Sequence, residues 1–215
     1  MGYRAIFFDL DGTLVDTVYL HTLAWWRALD QASETRPMAE IHPLIGMGGT
    51  ELMGRLLGRE EPAISEAQGR EFARYYPLIR ALPGAVDLLG AAHQAGIELV
   101  LVTSSKAGDL PHVMEPLGPT GQLFGQVVHG EEGGRAKPAP DLFHMALERS
   151  GFEPDQVVAV GDAEWDITAS GRAGIASIGL RTGGMDADAL MRAGALAVYD
   201  SCAHLLEKWR SSPLA

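Results

Sequence analysis

The sequence predicts an α/β fold, with a Rossmann-like parallel sheet as its core and an α-helical cap inserted into it. From residue 83 onward, short apolar runs alternate with stretches of helical periodicity. One earlier apolar run, residues 5–8, is followed by a long stretch without a second strand-like segment. We therefore predict that residues 1–16 and 83–215 form the core and that residues 17–82 form the cap.

The first strand is predicted at Ala5 to Phe8, where the chain is continuously apolar. Asp9 and Asp11 follow it, and Gly12 turns the chain. Alternation along a strand can point both carboxylates at one site, and a turn at Gly12 can equally swing Asp11 toward it. Two such carboxylates suit a nucleophile and a general acid/base.

The inserted segment reads as a series of helices. Asp16 is predicted to cap the first of them, whose apolar residues recur every three to four positions. Further short helices are predicted between residues 37 and 80, with breaks at 46–49, Gly58 and Pro62. Because this segment leaves the core after the first strand, it is expected to lie over the carboxyl edge of the sheet.

The remaining chain alternates between strands and helices, as expected for a parallel sheet with helices on both faces. Glycines end several of these helices. The predicted strands are 97–102, 126–129, 157–160, 176–179 and 196–199, and the predicted helices are 85–94, 140–149, 166–172, 186–193 and 201–209.

Polar residues follow the first four of the six predicted strands, beginning with Asp9 and Asp11 after the first. The second strand leads into Thr103, Ser104 and Ser105, whose hydroxyls and amides can hold phosphate oxygens. Lys137, one of only three lysines in the chain, follows the third strand and precedes two prolines. Each feature is common by itself, and their joint occurrence at successive strand ends is what predicts a phosphoryl-transfer site.

The fourth strand leads to Asp162, and Asp166 lies one helical turn further on. Two carboxylates about 4 Å apart repel each other by about 4 kcal/mol at an effective dielectric of 20. Asp9, Asp11, Asp162 and Asp166 cannot therefore converge on Lys137 alone, so a divalent cation is expected. Oxygen ligands without histidine or cysteine favour Mg²⁺.

Composition excludes several classes of protein. The net charge of −11 opposes a nucleic acid or an anionic membrane as partner. The single cysteine, Cys202, excludes an internal disulfide and an all-cysteine metal site. Without a long apolar segment or a signal-like leader, the protein is expected to be cytoplasmic. Its expected partner is a small phosphorylated metabolite, and monomer and homodimer both remain open.

Four stretches together resemble one family. FFDLDGTLVDT, LVTSS, AKPAPD and VGDAEWD are similar, in order and rough spacing, to the four motifs of the haloacid dehalogenase superfamily. The resemblance is to its phosphatases with a small helical cap, of the phosphoglycolate phosphatase and β-phosphoglucomutase type. It covers essentially the whole chain and implies the fold described above.

The resemblance also implies roles. Asp9 would attack phosphorus and form an aspartyl-phosphate, and Asp11 would protonate the leaving oxygen and later activate water. Thr103 would bind the transferring phosphoryl group, and Lys137 would offset its charge. The function implied is hydrolysis of a small phosphomonoester, in two displacements instead of one harder step.

Mg²⁺ would be held by Asp9, the backbone carbonyl of Asp11 and Asp162. Asp166 would orient a metal-bound water or Lys137.

Ser104 and the loop glycines Gly46, Gly48 and Gly49 are predicted to bind substrate. Glycine there permits close approach of the backbone to a ligand and positive φ.

Particular residues distinguish a phosphatase from other enzymes of this superfamily. Dehalogenases of the superfamily lack the second aspartate, which is present here as Asp11. The phosphonate-cleaving members use a cap lysine, and no lysine precedes Lys106. Sugar-phosphate mutases carry an arginine in the cap loop, whereas residues 46–49 read GMGG, which favours a phosphatase while leaving the mutase as the alternative.

Two further classes of protein fit less well. A phosphate-accepting signalling module has no use for Asp11 or for a cap, and a catalytically idle binding protein would be expected to lack a core residue. Residues 46–51 lack the third glycine of a dinucleotide loop. The stretch from Asp9 has Leu20 where a calcium loop requires glutamate.

Overall fold

The computed structural model describes residues 2–214 and contains one six-stranded parallel sheet. The order of its strands is β3-β2-β1-β4-β5-β6. This order confirms the predicted Rossmann-like α/β core, and the order reverses between β1 and β4. The strands are β1 (Ala5–Phe8), β2 (Glu98–Val102), β3 (Phe124–Val128), β4 (Val157–Gly161), β5 (Ala176–Leu180) and β6 (Ala197–Tyr199).

Helices α1 to α4 lie in the insertion between β1 and β2, α5 leads from the insertion into β2, α6 to α9 connect the later strands, and α10 follows β6. Short 3-10 turns separate several of them. No helix within residues 2–214 is both long enough and apolar enough to cross a membrane. The helices are α1 (Val18–Gln31), α2 (Met38–Ile41), α3 (Gly49–Leu57), α4 (Pro62–Ala73), α5 (Ala85–Gln94), α6 (Leu110–Val113), α7 (Asp141–Ser150), α8 (Glu164–Arg172), α9 (Ala187–Ala193) and α10 (Cys202–Glu207).

Strand β1 is fully buried because helices cover both faces of the sheet. Ile6 and Phe8 pack on one face, in an apolar cluster with residues of α5 and α10. Ala5 and Phe7 point to the other face, where α7 and α8 cover them. The site that follows β1 therefore rests on the most enclosed strand of the molecule.

Most predicted elements are present with ends shifted by one or two residues. The prediction that Asp16 caps the first helix is wrong, because α1 begins at Val18 and Thr17 occupies the N-cap position. The backbone N–H of Asp16 donates to the Arg80 carbonyl at 2.9 Å, which ties this residue to the end of the insertion. Thr17 provides no side-chain cap either, since its hydroxyl donates to Asp11.

The insertion has an apolar cluster of its own, which explains why its short helices hold together. Trp25 and Leu29 of α1, Leu52 of α3 and Ile64 of α4 are among its buried members. Helix α1 packs mainly against α4. The division of the chain into a core domain and a cap domain at residues 16 and 83 stays a prediction.

Candidate active site

Asp9 and Lys137 form the centre of the site. Lys137 Nζ donates to Asp9 Oδ1 at 2.6 Å and to the Val102 carbonyl at 2.7 Å, and it lies 2.7 Å from Asp166 Oδ1. The lysine is fully buried. Its three partners come from the residue after β1, the last residue of β2 and the helix that follows β4. The structure thus brings together residues separated by more than a hundred positions in sequence.

Asp162 follows β4, directly across the point where the strand order reverses. Thr13 Oγ1 donates to its Oδ1 at 2.7 Å. A Cβ atom on Gly12 would lie 2.4 Å from Asp162 Oδ2, and one on Gly183 would lie 1.9 Å from the same oxygen. Only glycine fits at these two positions, so the chain closes tightly around this carboxylate.

Asp166 lies in the first turn of α8 and is almost fully buried. Its Oδ2 accepts from the backbone N–H of Ala163 at 3.0 Å, and its Oδ1 faces Lys137. A Cβ atom on Gly161 would lie 2.4 Å from the Asp166 Cβ, so glycine is needed there as well. Asp162 precedes this helix and Asp166 lies in its first turn, and their carboxylates offer oxygen atoms within 4.8 Å of each other.

The site carries more negative charge than Lys137 can balance. Burial, reinforced by the charge of Asp166, raises the pKa of Asp9 to about 7. Burial and the charges of Asp9 and Asp166 raise the pKa of Asp162 well above its ordinary value. For Lys137, burial opposes ionisation, but Asp166 and Asp9 outweigh it and raise the pKa. Three buried carboxylates around one lysine therefore raise the pKa values of Asp9 and Asp162.

The residues present fit a divalent metal ion. Asp9, Asp162 and Asp166 each offer a carboxylate oxygen, and these atoms lie within 4.8 Å of one another. All three residues are buried, and oxygen ligands of this kind suit Mg²⁺. The Asp11 carboxylate is not a member of this group.

Asp11 instead points its carboxylate toward the insertion. Oδ1 accepts from Thr17 Oγ1 at 2.7 Å and lies 3.1 Å from His21 Nε2, while Oδ2 accepts from the Ser105 hydroxyl. Burial by itself would raise the pKa of Asp11, but the charge and hydrogen bond of His21 and the two hydroxyls hold it below its ordinary value. Asp11 is therefore presented as a carboxylate at neutral pH.

His21 is a site residue that the sequence reasoning missed. Its ring stacks on Phe72 of α4, with ring centroids 3.7 Å apart, and its Nδ1 lies 3.3 Å from Gln68 Nε2. The available signal was the separation of four residues between Thr17, the N-cap residue, and His21, which is about one helical turn. That spacing predicts a site residue only when it is known that the Asp11 carboxylate lies beside both side chains.

A cavity of about 100 Å³ lies between the sheet edge and the insertion. On the core side it is lined by Asp9, Asp11, the hydroxyl residues 103–105, Lys106 and Asp109. On the insertion side the lining is mainly apolar and aromatic. The residues that line it there are His21, Trp25, Ile45, Gly46, Met47, Gly49, Leu52, Ser65 and Gln68.

The predicted substrate-binding residues are placed differently from one another. Gly46, with φ +95°, and Gly49 line the cavity, but Gly48 is absent from its lining. A Cβ on Gly48 would lie 2.3 Å from the Ala136 Cβ, so this glycine packs against the chain that leads into Lys137.

The two hydroxyl residues that precede Ser105 also differ in their contacts. Ser104 lines the cavity, but its hydroxyl donates to the Gly46 carbonyl at 3.1 Å. Thr103 is fully buried at the cavity wall, and its Oγ1 accepts from the Ser105 N–H at 3.1 Å.

Comparison with known proteins places this geometry in a family. A phosphoglycolate phosphatase of Vibrio vulnificus is 32% identical over 221 residues, which span 95% of this chain and 95% of that protein. The crystal structure of a hydrolase from Pseudomonas syringae superposes with a TM-score of 0.91 at 33% identity, covering 97% of this chain and 98% of that one.

CbbY from Rhodobacter sphaeroides, solved as a variant in complex with xylulose-1,5-bisphosphate, is 26% identical with a TM-score of 0.78. The comparison covers 94% of this chain and 96% of CbbY. The family model for haloacid dehalogenase-like hydrolases matches residues 3–174, which include all four motifs. The chain belongs to the haloacid dehalogenase-like hydrolase family.

Proposed function

We propose that this protein is a Mg²⁺-dependent phosphatase that hydrolyses a small phosphomonoester through an aspartyl-phosphate on Asp9. The observation that carries the proposal is the buried group of Asp9, Lys137, Asp162 and Asp166, in which acidic charge exceeds basic charge. A nucleophilic carboxylate, a fixed cation and a site for a second cation are what phosphoryl transfer requires.

In the first step a carboxylate oxygen of Asp9 attacks phosphorus, and the bond from phosphorus to the ester oxygen breaks. Lys137, fixed by three oxygen partners, offsets charge on the phosphoryl group as it moves. The departing alkoxide takes a proton from Asp11. The products are the alcohol and an acyl phosphate on Asp9.

In the second step water attacks the phosphorus of this acyl phosphate, gives a proton to Asp11, and releases inorganic phosphate. Asp11 is held as a carboxylate, which is the form that accepts this proton. The first step needs the protonated form, and His21, 3.1 Å away, is the neighbouring group that can share a proton with it.

Asp9 and Asp162 would hold Mg²⁺ together with the backbone carbonyl of Asp11. Bound there, the ion supplies positive charge to the phosphate oxygens and orients them. Asp166 contacts Lys137 directly, which supports a role in fixing that lysine.

The cavity favours a small substrate. A volume near 100 Å³ is below the roughly 300–1,000 Å³ of pockets that hold drug-sized ligands. No arginine of the insertion lines it among the residues described, which speaks against a second phosphate held from that side and so against a mutase. The similarity to phosphoglycolate phosphatases makes 2-phosphoglycolate the first substrate to test.

The test is phosphate release from 2-phosphoglycolate, xylulose-1,5-bisphosphate, β-glucose 1-phosphate and p-nitrophenyl phosphate, each with Mg²⁺ and with EDTA. We expect Mg²⁺-dependent release, fastest from 2-phosphoglycolate. Conversion of β-glucose 1-phosphate to glucose 6-phosphate without net phosphate release, followed by ³¹P NMR, would establish the mutase instead. Absence of turnover on every substrate would refute both activities.

A further inference from the structure

Trp165 connects the catalytic core to the insertion. It lies between Asp162 and Asp166 in sequence, in the first turn of α8. Its indole N–H donates to the backbone carbonyl of Pro43 at 3.0 Å. Trp165, between the two acidic site residues, is therefore hydrogen-bonded to a residue of the insertion 122 positions away.

The ring of Trp165 is also packed by the insertion. It packs against the apolar cluster of the insertion, and a Cβ atom on Gly46 would lie 3.5 Å from the Trp165 Cδ1, so the loop leaves room for no more than a small side chain beside the indole edge. The Arg55 guanidinium of α3 lies over the ring, 5.4 Å from its centroid. The indole thus contacts two separate parts of the insertion.

Two other hydrogen bonds fasten the same segment, residues 42–46. His42 Nε2 lies 2.9 Å from the Gly183 carbonyl, and the Ser104 hydroxyl donates to the Gly46 carbonyl. The contacts to the core thus come from the chain after β2, from α8 and from the chain after β5. Each is a single polar contact, and Trp165 supplies the one at the middle of the segment.

This segment carries part of the cavity wall. Ile45 of this segment and the adjacent Met47, whose N–H donates to the Leu44 carbonyl at 3.2 Å, line the cavity that Asp9 lines from the core, and the alcohol half of a substrate would lie against them. Both side chains are apolar and make no directional hydrogen bond to a substrate. Where they contact it therefore depends on the position of their backbone. That backbone is held by the contacts of residues 42–46 with the core.

We propose that Trp165 is a positioning residue that sets substrate selection by holding residues 42–46 over the cavity. The proposal rests on the proposed phosphatase function for its kinetic consequence, but its structural part does not. Trp165 touches no reacting atom in this scheme. It acts through Ile45 and Met47, which close the side of the cavity that receives the alcohol.

The experiment compares Trp165→Phe with Trp209→Phe as a matched control. The first removes the N–H donor and keeps an aromatic ring, while the second makes the same change in a 3-10 turn near the C-terminus, outside the cavity lining. Hydrogen exchange of the amides of residues 44–47 is measured without substrate. Faster exchange is expected in Trp165→Phe and parental exchange in Trp209→Phe.

The kinetic arm uses 2-phosphoglycolate and p-nitrophenyl phosphate. Loss of one hydrogen bond predicts a rise of about fivefold in KM for 2-phosphoglycolate. The kcat for p-nitrophenyl phosphate should stay within about twofold of the parent, because its activated leaving group needs little help from the loop. Equal losses of kcat on both substrates with unchanged exchange would overturn the proposal.

His42→Ala provides a second route if Trp165→Phe folds poorly, because it removes the contact at the other end of the segment. It should also speed exchange of residues 44–47. Parental exchange in every variant that folds would refute the positioning role. If the parent hydrolyses no phosphomonoester, the proposed function fails, and the exchange data still decide whether Trp165 holds this segment.

Discussion

The Nε2 atom of His21 lies 3.1 Å from Oδ1 of Asp11, so a histidine of the inserted helix α1 contacts the carboxylate at the end of β1. Asp11 has no contact with Lys137 comparable to that of Asp9. The two aspartates of the first motif are therefore held by different parts of the molecule, Asp9 by the core and Asp11 partly by the insertion.

His21→Phe should lower kcat about 10- to 100-fold, because a hydrogen bond to a charged group is lost while the stacking on Phe72 is kept. The melting temperature should change little. His112→Phe is the control, since His112 also stacks on an aromatic ring, that of Tyr76, outside the cavity. A kcat within twofold of the parent would show that Thr17 and Ser105 suffice to hold Asp11.

Asp9→Asn should lower phosphomonoester turnover by about 10³-fold or more, because the amide cannot form the acyl phosphate. Phosphate release and rapid-quench labelling of the protein with ³²P measure the two consequences. Asp16→Asn is the matched control, an exposed aspartate seven residues away. Turnover near the parental rate in Asp9→Asn would exclude this residue as the nucleophile.

Lys137→Ala should destabilise the metal-free protein by about 3–5 kcal/mol, because it leaves Asp9 and Asp166 buried without their cation. Mg²⁺ should restore part of this loss by supplying positive charge. Urea unfolding with Mg²⁺ and with EDTA measures both effects.

The control for Lys137 is Lys208→Ala, which removes a lysine from an exposed pair with Glu207 and should change stability by less than about 0.5 kcal/mol. A small loss in Lys137→Ala that Mg²⁺ does not alter would show that the carboxylates bind protons in place of the cation.

Gly48→Ala should reduce kcat/KM roughly 10- to 100-fold on 2-phosphoglycolate and on p-nitrophenyl phosphate alike, since its Cβ would displace Ala136 and with it Lys137. Gly54→Ala inside α3, the helix that Gly48 precedes, is the control, because no atom of residues 2–214 lies within 4 Å of its Cβ and alanine favours the helix. A loss confined to 2-phosphoglycolate would instead assign Gly48 to substrate recognition.

Glu71→Gln should reveal a pH-dependent contribution to stability. The carboxylate of Glu71 joins α4 to α1 through Gln31 and Arg27, and the Gln31 hydrogen bond, followed by those arginine contacts, lowers its pKa. A lowered folded-state pKa means that this stabilisation is present above the ordinary value of 4.5 and is lost as pH falls through the folded value.

The parent should therefore exceed Glu71→Gln in free energy of unfolding by about 1 kcal/mol at pH 7, and the difference should shrink below about pH 4.5. Chemical unfolding at several pH values measures it. Glu66→Gln is the control, because Glu66 is exposed and 4.0 Å from Arg70, and should show no such change. A difference independent of pH would show that packing, and not charge, is responsible.

Local pattern was enough to predict most of the fold. Strand β1 and helix α5 occupy the residues predicted for them, because continuous apolar runs and glycine breaks act over a few neighbouring residues.

The N-cap of the first helix was less predictable. Asp16 has the right chemistry for an N-cap, but its backbone is tied to Arg80, and a contact 64 positions away leaves no trace in the local pattern.

The sequence by itself determined the sheet and the meeting of Asp9, Lys137, Asp162 and Asp166, because the carboxyl ends of parallel strands share one edge. Their roles remain predictions. Only the tertiary structure decided where the insertion meets the core: His21 of the insertion lies beside Asp11, and the indole of Trp165 in α8 donates to the Pro43 carbonyl of the insertion. Those contacts depend on how helices outside the sheet pack against it, which no strand register or helical period specifies, since each is one side-chain hydrogen bond between the insertion and the core.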